Sequence, residues 1–225
     1  MIYKTLNYTI SINLIGTIRE RILVKKHSNT INYSSICVDI NTYVGIDEAG
    51  RGPLAGSVVA AAVVLGDMSE WENIRDSKAL SVSRRDTLYR LIKESALAWS
   101  VGKCDVWEID EYNIFNASLL AMQRAFSGID VPTEIALVDG KYSPDLPVTS
   151  YAVIKGDKHV PAISAASILA KVTRDREMDE LDKLFPEYGF ARHKGYPTPQ
   201  HLAALKRYGA CNCHRKSFKP VTEVI

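Results

Sequence analysis

Four carboxylates lie at or just beyond the ends of short apolar stretches that we expect to form strands. They are Asp47, Glu48, Asp139 and Asp157. The ends of strands often present functional side chains to a crevice at one edge of a sheet. Four acids that converge there repel each other unless cations neutralise them, and hard oxygen ligands suit Mg²⁺ or Mn²⁺. Two such ions about 4 Å apart can activate water for phosphodiester cleavage.

The adjacent pair Asp47 and Glu48 precedes a glycine-rich turn. Successive strand residues point to opposite faces, so both acids can reach one site only if the strand ends or twists there. Gly50 and Gly52 permit that change of direction. A pair of adjacent acids fits a solvated turn equally well, so the hypothesis depends on Asp139 and Asp157 joining it.

Hydrophobic periodicity predicts the elements that must position these acids. Two strands that pair antiparallel come first, followed by a helix, a strand and a second helix. Two further strands and C-terminal helices complete a mixed α/β sheet with helices packed on it. Pro161 can begin the long helix, whose second face carries Ser164, Ser167, Lys171 and Asp175. The predicted strands are residues 43–46, 57–65, 98–102, 134–138 and 150–154, and the predicted helices are 83–98, 107–126 and 161–184.

The composition indicates one enzyme-sized domain. The chain has 225 residues, of which 46% are hydrophobic, and contains neither an apolar run of membrane-spanning length nor a secretory signal pattern. We expect a soluble, cytoplasmic protein in which the four cysteines are reduced thiols rather than a disulfide framework. Residues 1–41 show no clear period and are treated as an N-terminal extension of unknown structure, followed by a catalytic domain over residues 42–225.

The net charge of +2 conceals an uneven distribution. Residues 43–187 contain 16 basic and 23 acidic side chains, whereas residues 188–225 contain seven basic side chains and one acidic one. An acidic body with a basic C-terminal segment suits an enzyme that holds cations in one place and phosphates in another. The charges fit ordinary solvated surfaces equally well.

Residues 43–220 contain a series of ordered motifs. The first is the stretch 43–56, YVGIDEAGRGPLAG, and the others are DSK at 76–78, NI at 113–114, VDG at 138–140, KGD at 155–157, SAASILAKVTRD at 164–175, HKGYPT at 193–198 and HRKSF at 214–218. Together they resemble the motifs of the ribonuclease HII family.

The resemblance implies an α/β fold of the ribonuclease H-like type, with a mixed five-stranded sheet flanked by helices and a C-terminal helical segment. It implies cleavage of the RNA strand of RNA–DNA hybrids and incision on the 5′ side of ribonucleotides in duplex DNA, which leaves 5′-phosphate and 3′-hydroxyl ends. Two divalent ions, Mn²⁺ or Mg²⁺, would be held by the catalytic residues Asp47, Glu48, Asp139 and Asp157.

The resemblance also assigns substrate contacts. The backbone of Gly50, Arg51 and Gly52 would contact the ribonucleotide 2′-hydroxyl, the group that distinguishes RNA from DNA. Tyr196 would pack on the neighbouring sugar, although without the resemblance it would be read as a surface aromatic. Phosphate contacts are expected from Lys78, Lys171 and Lys194, with Arg192 a further candidate.

Several other residues receive no functional role at this stage. Asp175 is the expected i, i+4 salt-bridge partner of Lys171 rather than a metal ligand. His159 and His193 are assigned no catalytic role. The stretch 211–214, CNCH, is not predicted to be a structural zinc site, because such a site needs four ligands and no second Cys/His pair has suitable spacing.

Three alternatives compete with this interpretation. Ribonuclease HIII carries an additional N-terminal domain and usually a lysine between the motif glycines, whereas this chain has Arg51 and too few leading residues. A hybrid-binding protein without catalysis would not need all four carboxylates, and a junction resolvase would not need the Gly50–Gly52 turn together with Tyr196. We expect a monomer, and the sequence does not indicate whether it contacts replication or repair proteins.

Overall fold

The computed structural model describes residues 30–31, 43–66, 71, 74 and 81–225. They contain one mixed sheet whose strands are β1 (Thr30–Ile31), β2 (Tyr43–Ala49), β3 (Val58–Val64), β4 (Ala98–Cys104), β5 (Ile135–Asp139) and β6 (Thr149–Val153). Their order across the sheet is β1-β6-β5-β2-β3-β4. Five longer strands confirm the predicted mixed five-stranded sheet, and the predicted antiparallel pairing of β2 with β3 is confirmed as well. The two-residue β1 pairs parallel with β6 at the edge.

The helices cover both faces of this sheet. They are α1 (Val82–Ser95), α2 (Val106–Ser127), α3 (Gly156–His159), α4 (Pro161–Leu184), α5 (Phe190–His193), α6 (Pro199–Tyr208) and α7 (Lys219–Thr222). The predicted helix over residues 161–184 is confirmed, with Pro161 in its first turn. The predicted helix over 107–126 is interrupted at Asn113, which has φ of 62°. The side chain of Asn113 accepts from the amides of Phe115 and Asn116, so it caps the helix that resumes there.

Strand β2 lies at the centre of the molecule, with an apolar layer on each face. Alternate residues of β2 and β3 pack under α4 and α1 on one face and under α2 on the other. Gly45 permits the close approach of α4, because a Cβ there would lie only 2.2 Å from the carbonyl carbon of Ala162. This contact fixes where α4 crosses the strand that carries Asp47 and Glu48.

A third apolar cluster joins the C-terminal segment to the loop after β2. It includes Leu54, Met178, Phe190 and Leu205, and an isolated bridge pairs Ala55 with His214. The C-terminal segment is therefore part of the same domain as the sheet. None of the helices in the described part of the chain combines the length and apolar character of a membrane span.

Candidate active site

Asp47, Glu48 and Asp139 approach each other at one edge of the sheet. Strand β2 continues to Ala49 instead of ending at residue 46 as predicted. Glu48 nevertheless lies close enough to Asp47 for its charge to raise the pKa of Asp47. Ile46 is paired with Val138 across the parallel β2–β5 ladder, which puts Asp139 beside Asp47 at the next position. Glu48 and Asp139 also line a common depression of about 200 Å³ on the α2 side.

The pKa values of Asp47 and Glu48 are raised by burial and by the charges of neighbouring acids. Burial raises the pKa of Asp47 well above its ordinary value, and the charges of Glu48 and Asp139 raise it further. Burial likewise raises the pKa of Glu48, and the charge of Asp139 adds to this, while Arg51 opposes it. An acid with a raised pKa is a group whose negative charge lacks sufficient compensation.

One oxygen in this cluster is short of a partner. Glu48 Oε2 is buried and has no hydrogen-bond partner among the described residues. Among the described residues, the acids do not form a preformed group of three metal ligands, so the cluster is not a closed ligand cage. A buried, unpartnered carboxylate oxygen beside further acids is nevertheless the donor set that a hard divalent ion requires, and the residues fit such an ion.

Asp157 lies beside Asp139, in α3 rather than at the end of a strand as predicted. It lies in the one-turn helix that follows β6, and its side chain is buried. Its backbone amide donates to Asp139 Oδ1 at 3.2 Å. The hydroxyl of Ser164 donates to the Asp157 carbonyl at 2.5 Å, which ties α3 to the start of α4.

A groove of about 390 Å³ runs from the carboxylates along the glycine-rich turn. Glu48 stands at one end, and Tyr196 flanks the turn, with its ring 3.4 Å from the position that a Cβ on Gly52 would occupy. The lining residues are Glu48, Ala49, Gly50, Arg51, Gly52, Arg85, Ser167, Ile168, Lys171, Arg174 and Tyr196. Of the predicted site residues, this groove therefore brings together the catalytic candidate Glu48 and the substrate-binding candidates Gly50, Arg51, Gly52, Lys171 and Tyr196.

Two buried arginines, neither of them predicted from the sequence as a functional residue, hold the turn. Arg215 donates to five backbone carbonyls, which belong to Gly50, Arg51, Pro53, Gly56 and Ser57, at 2.6–3.1 Å. Arg174 donates to the carbonyls of Ala55, Ser57 and Lys194 at 3.0–3.3 Å. The signal was present, because both arginines lie inside the motifs at 164–175 and 214–218, but only the fold shows that they face the turn.

Gly50 is the residue that admits this arrangement. Its φ of 98° is rarely adopted by other residues, and a Cβ there would lie 2.1 Å from Nε of Arg174. Burial, together with the nearby charge of Arg174, lowers the pKa of Arg215 to about 9, so Arg215 remains charged at neutral pH.

Of the residues expected to contact phosphates, Lys171 lines the groove, whereas Lys194 and Arg192 line a neighbouring cleft. Lys171 lines the groove and pairs with Asp175 at 2.6 Å, which confirms Asp175 as its salt-bridge partner. Lys194 is engaged by Asp179 and by the carbonyl of Asp175. With Arg192, these two lysines line an adjacent cleft of about 780 Å³. Lys78 lies outside the described residues.

His193 has a structural position. Its Nε2 contacts the carbonyl of Tyr188 at 2.8 Å, and the amide of Gly195 donates to its Nδ1. Both ring nitrogens are thus occupied by backbone groups of the segment that leads to Tyr196, and His193 orients that segment.

The motifs at this site match one family over most of the described domain. The pattern of the family described as Ribonuclease HII covers residues 44–221. The Ribonuclease HII of Aliivibrio salmonicida is 56% identical over 183 residues, which are 81% of this chain and 88% of that protein. The chain belongs to the ribonuclease HII family.

Solved structures agree with the ribonuclease HII assignment. The ribonuclease H2 from Pyrococcus horikoshii superposes with a TM-score of 0.69 at 26% identity, covering 81% of this chain and 96% of that one. The RNase HII of Archaeoglobus fulgidus, solved in complex with PCNA, gives 0.64 at 28% identity over 79% of this chain and 95% of that one. The predicted ribonuclease H-like fold is confirmed.

Membership of the ribonuclease HII family establishes the general activity. The protein is a ribonuclease H endonuclease that acts on RNA–DNA substrates and produces 5′-phosphate ends. Enzymes of this family depend on divalent metal ions. Nucleic acid is therefore the substrate, and the predicted nuclease class is confirmed over the silent binding protein.

Proposed function

We propose that this enzyme incises on the 5′ side of ribonucleotides embedded in duplex DNA, and cuts the RNA strand of hybrids, with Asp47, Glu48, Asp139 and Asp157 as its catalytic carboxylates. One observation carries the proposal. Glu48, whose buried Oε2 lacks a hydrogen-bond partner, lines both the groove along the glycine-rich turn and the depression that it shares with Asp139. A phosphate bound beside that turn would lie next to the acids.

The four carboxylates would hold two divalent ions, Mn²⁺ or Mg²⁺. When bound, such ions lower the pKa of water and neutralise charge on the leaving oxygen. The fold positions the acids. Strands β2 and β5 hold Asp47 and Asp139 side by side, and the backbone amide of Asp157 in α3 donates a hydrogen bond to Asp139 Oδ1. In the reaction, water oxygen bonds to phosphorus, the bond to the 3′ oxygen breaks, and that oxygen takes up a proton to give the 3′-hydroxyl.

The turn would recognise the ribonucleotide. Because Arg215 binds the carbonyls of Gly50 and Arg51, the amide groups of the turn are the polar atoms left to meet a ribose hydroxyl in the groove. Tyr196 is half exposed beside Gly52, where its ring can pack on the neighbouring sugar. Lys171 and Lys194 would then contact phosphates of the same strand, without reading bases.

A duplex with a single ribonucleotide tests the proposal directly. The labelled duplex is incubated with Mg²⁺ or Mn²⁺ and with chelator, beside an all-DNA duplex and a long RNA–DNA hybrid. We expect metal-dependent cutting only 5′ of the ribonucleotide, and no cutting of all-DNA. Cutting of the hybrid without cutting at the lone ribonucleotide would refute the recognition proposed for the turn.

A matched pair of variants tests the carboxylates. Asp139→Asn removes one charge from the cluster and should abolish cleavage, whereas Asp130→Asn removes one charge from an exposed loop and should leave cleavage unchanged. Circular dichroism and thermal melting check that both variants fold. Wild-type cleavage by Asp139→Asn would exclude it as a metal-holding residue.

A further inference from the structure

Three ligand atoms outside the proposed catalytic cluster converge in the C-terminal segment. Among the described residues, Cys211 Sγ, Cys213 Sγ and a ring nitrogen of His214 all lie within 4.8 Å of one another. The two sulfurs are 3.0 Å apart, and Cys211 Sγ is 3.1 Å from His214 Nδ1. Cys213 and His214 are buried, while Cys211 is partly open to solvent. The spacing of Cys and His residues in the sequence does not predict a zinc site here, because a fourth protein ligand is missing.

The surrounding hydrogen bonds fix the tautomer of His214. The backbone amide of Cys211 can only donate, and it donates to His214 Nδ1 at 3.1 Å, so Nδ1 carries a lone pair. His214 Nε2 then carries the proton and donates to His201 Nε2 at 3.1 Å. His201 Nδ1 in turn donates to the carbonyl of Tyr196, which can only accept. The Cys211 amide at one end of this hydrogen-bond series and the Tyr196 carbonyl at the other therefore require the same positions of the protons.

This arrangement is the one that a metal-binding histidine uses. A ligating imidazole usually donates its other ring N–H to an acceptor, which fixes the orientation of the ring. Here His214 Nδ1 lies 3.1 Å from the Cys211 sulfur, and the opposite nitrogen is held by a buried histidine. Metal binding would replace the hydrogen bond that the Cys211 amide donates to Nδ1. A disulfide between Cys211 and Cys213 would use the sulfurs alone and would leave the oriented imidazole without a function.

We propose that Cys211, Cys213 and His214 form a site for a thiophilic metal ion of the Zn²⁺ class, bound through two thiolates and one imidazole. Binding displaces the two thiol protons to solvent, and the resulting charge of the ion with its two thiolates is zero. The partial exposure of Cys211 leaves the fourth position to water. The oxygen-rich cluster at Asp47 prefers harder ions, so the two sites differ in metal class.

The position of this site gives it a structural consequence. The Cys213 carbonyl accepts from the amide of Gly56, and the next residue but one, Arg215, holds the carbonyls of the glycine-rich turn. His201 connects the same site to the backbone of Tyr196. A metal ion here would fix the C-terminal segment against both parts of the groove that the substrate occupies.

Two double variants of the full-length chain provide a matched test, because each retains two of the four cysteines. Cys37→Ser/Cys104→Ser keeps the proposed ligands, and Cys211→Ser/Cys213→Ser removes them. Both are reduced and titrated with Zn²⁺ in excess Mg²⁺, which occupies oxygen ligands but not thiolates. We expect one Zn²⁺ per chain in the first variant and none in the second. Equal binding by both, or binding by neither, would overturn the proposal.

Cobalt provides a readout that does not require the second variant to fold. Co²⁺ bound by Cys37→Ser/Cys104→Ser should show thiolate-to-metal charge-transfer absorption and the visible bands of a tetrahedral site. Zn²⁺ should displace it stoichiometrically. A cobalt complex without thiolate charge transfer would exclude this site even if metal binds elsewhere.

Discussion

Replacing Arg215 by lysine tests whether the glycine-rich turn depends on a buried guanidinium. Arg215 is fully buried and uses all three of its nitrogens to bind five carbonyls between Gly50 and Ser57. Lysine keeps the positive charge, but its single nitrogen carries three protons, so it can serve at most three of those carbonyls. At least two of the five carbonyls therefore lose their hydrogen bond to this side chain.

The expected cost follows from that count. A hydrogen bond to a charged group contributes about 1.5–3 kcal/mol, so the loss of two should lower the free energy of unfolding by about 3–6 kcal/mol. This is a large part of the roughly 5–15 kcal/mol by which a domain is stable. Because the released carbonyls belong to the turn that lines the groove, the KM for a ribonucleotide-containing duplex should rise more than kcat falls.

Urea unfolding gives the change in stability, and steady-state cleavage of a duplex with one ribonucleotide separates KM from kcat. Arg207→Lys is the control, since Arg207 is exposed on α6 and should change the unfolding free energy by less than about 0.5 kcal/mol. If Arg215→Lys unfolds within about 1 kcal/mol of wild type with an unchanged KM, the carbonyl count does not determine the stability of the turn.

Three further substitutions should change stability or substrate binding in different directions. Asp47→Asn should stabilise the metal-free protein at pH 7, because a raised carboxylate pKa costs stability above its unfolded value of about 3.9. The gain should disappear as the pH falls below about 4, measured by urea unfolding in chelator; a gain that persists there would contradict the argument. Gly50→Ala should lower the melting temperature, since its Cβ would meet Arg174. Gly52→Ala should melt normally, because its Cβ only touches Tyr196, yet should raise KM; equal melting of both would be contrary to expectation.

The sequence alone determined the elements and the family motifs. Apolar periodicity predicted the strands and the long helix that begins at Pro161, because burial of alternate or 3.6-spaced residues is a local property of the chain. The predicted end of the first strand, at residue 46, is three residues too early. The pairing of β2 with both β3 and β5 carries the strand to Ala49, and pairing partners are not encoded in local periodicity.

Tertiary structure alone decided how the acids are arranged and what supports the turn. The β2–β5 register puts Asp139 beside Asp47, and α3 brings Asp157 to Asp139, through contacts between residues far apart in the sequence. Arg215 reaches Gly50 across 165 positions, so no local pattern could assign it to the turn. The same holds for the tautomer of His214, which is fixed in part by a hydrogen bond to His201, 13 positions away. Chemistry that depends on residue type was readable from the chain, whereas chemistry that depends on the direction of a side chain required the fold.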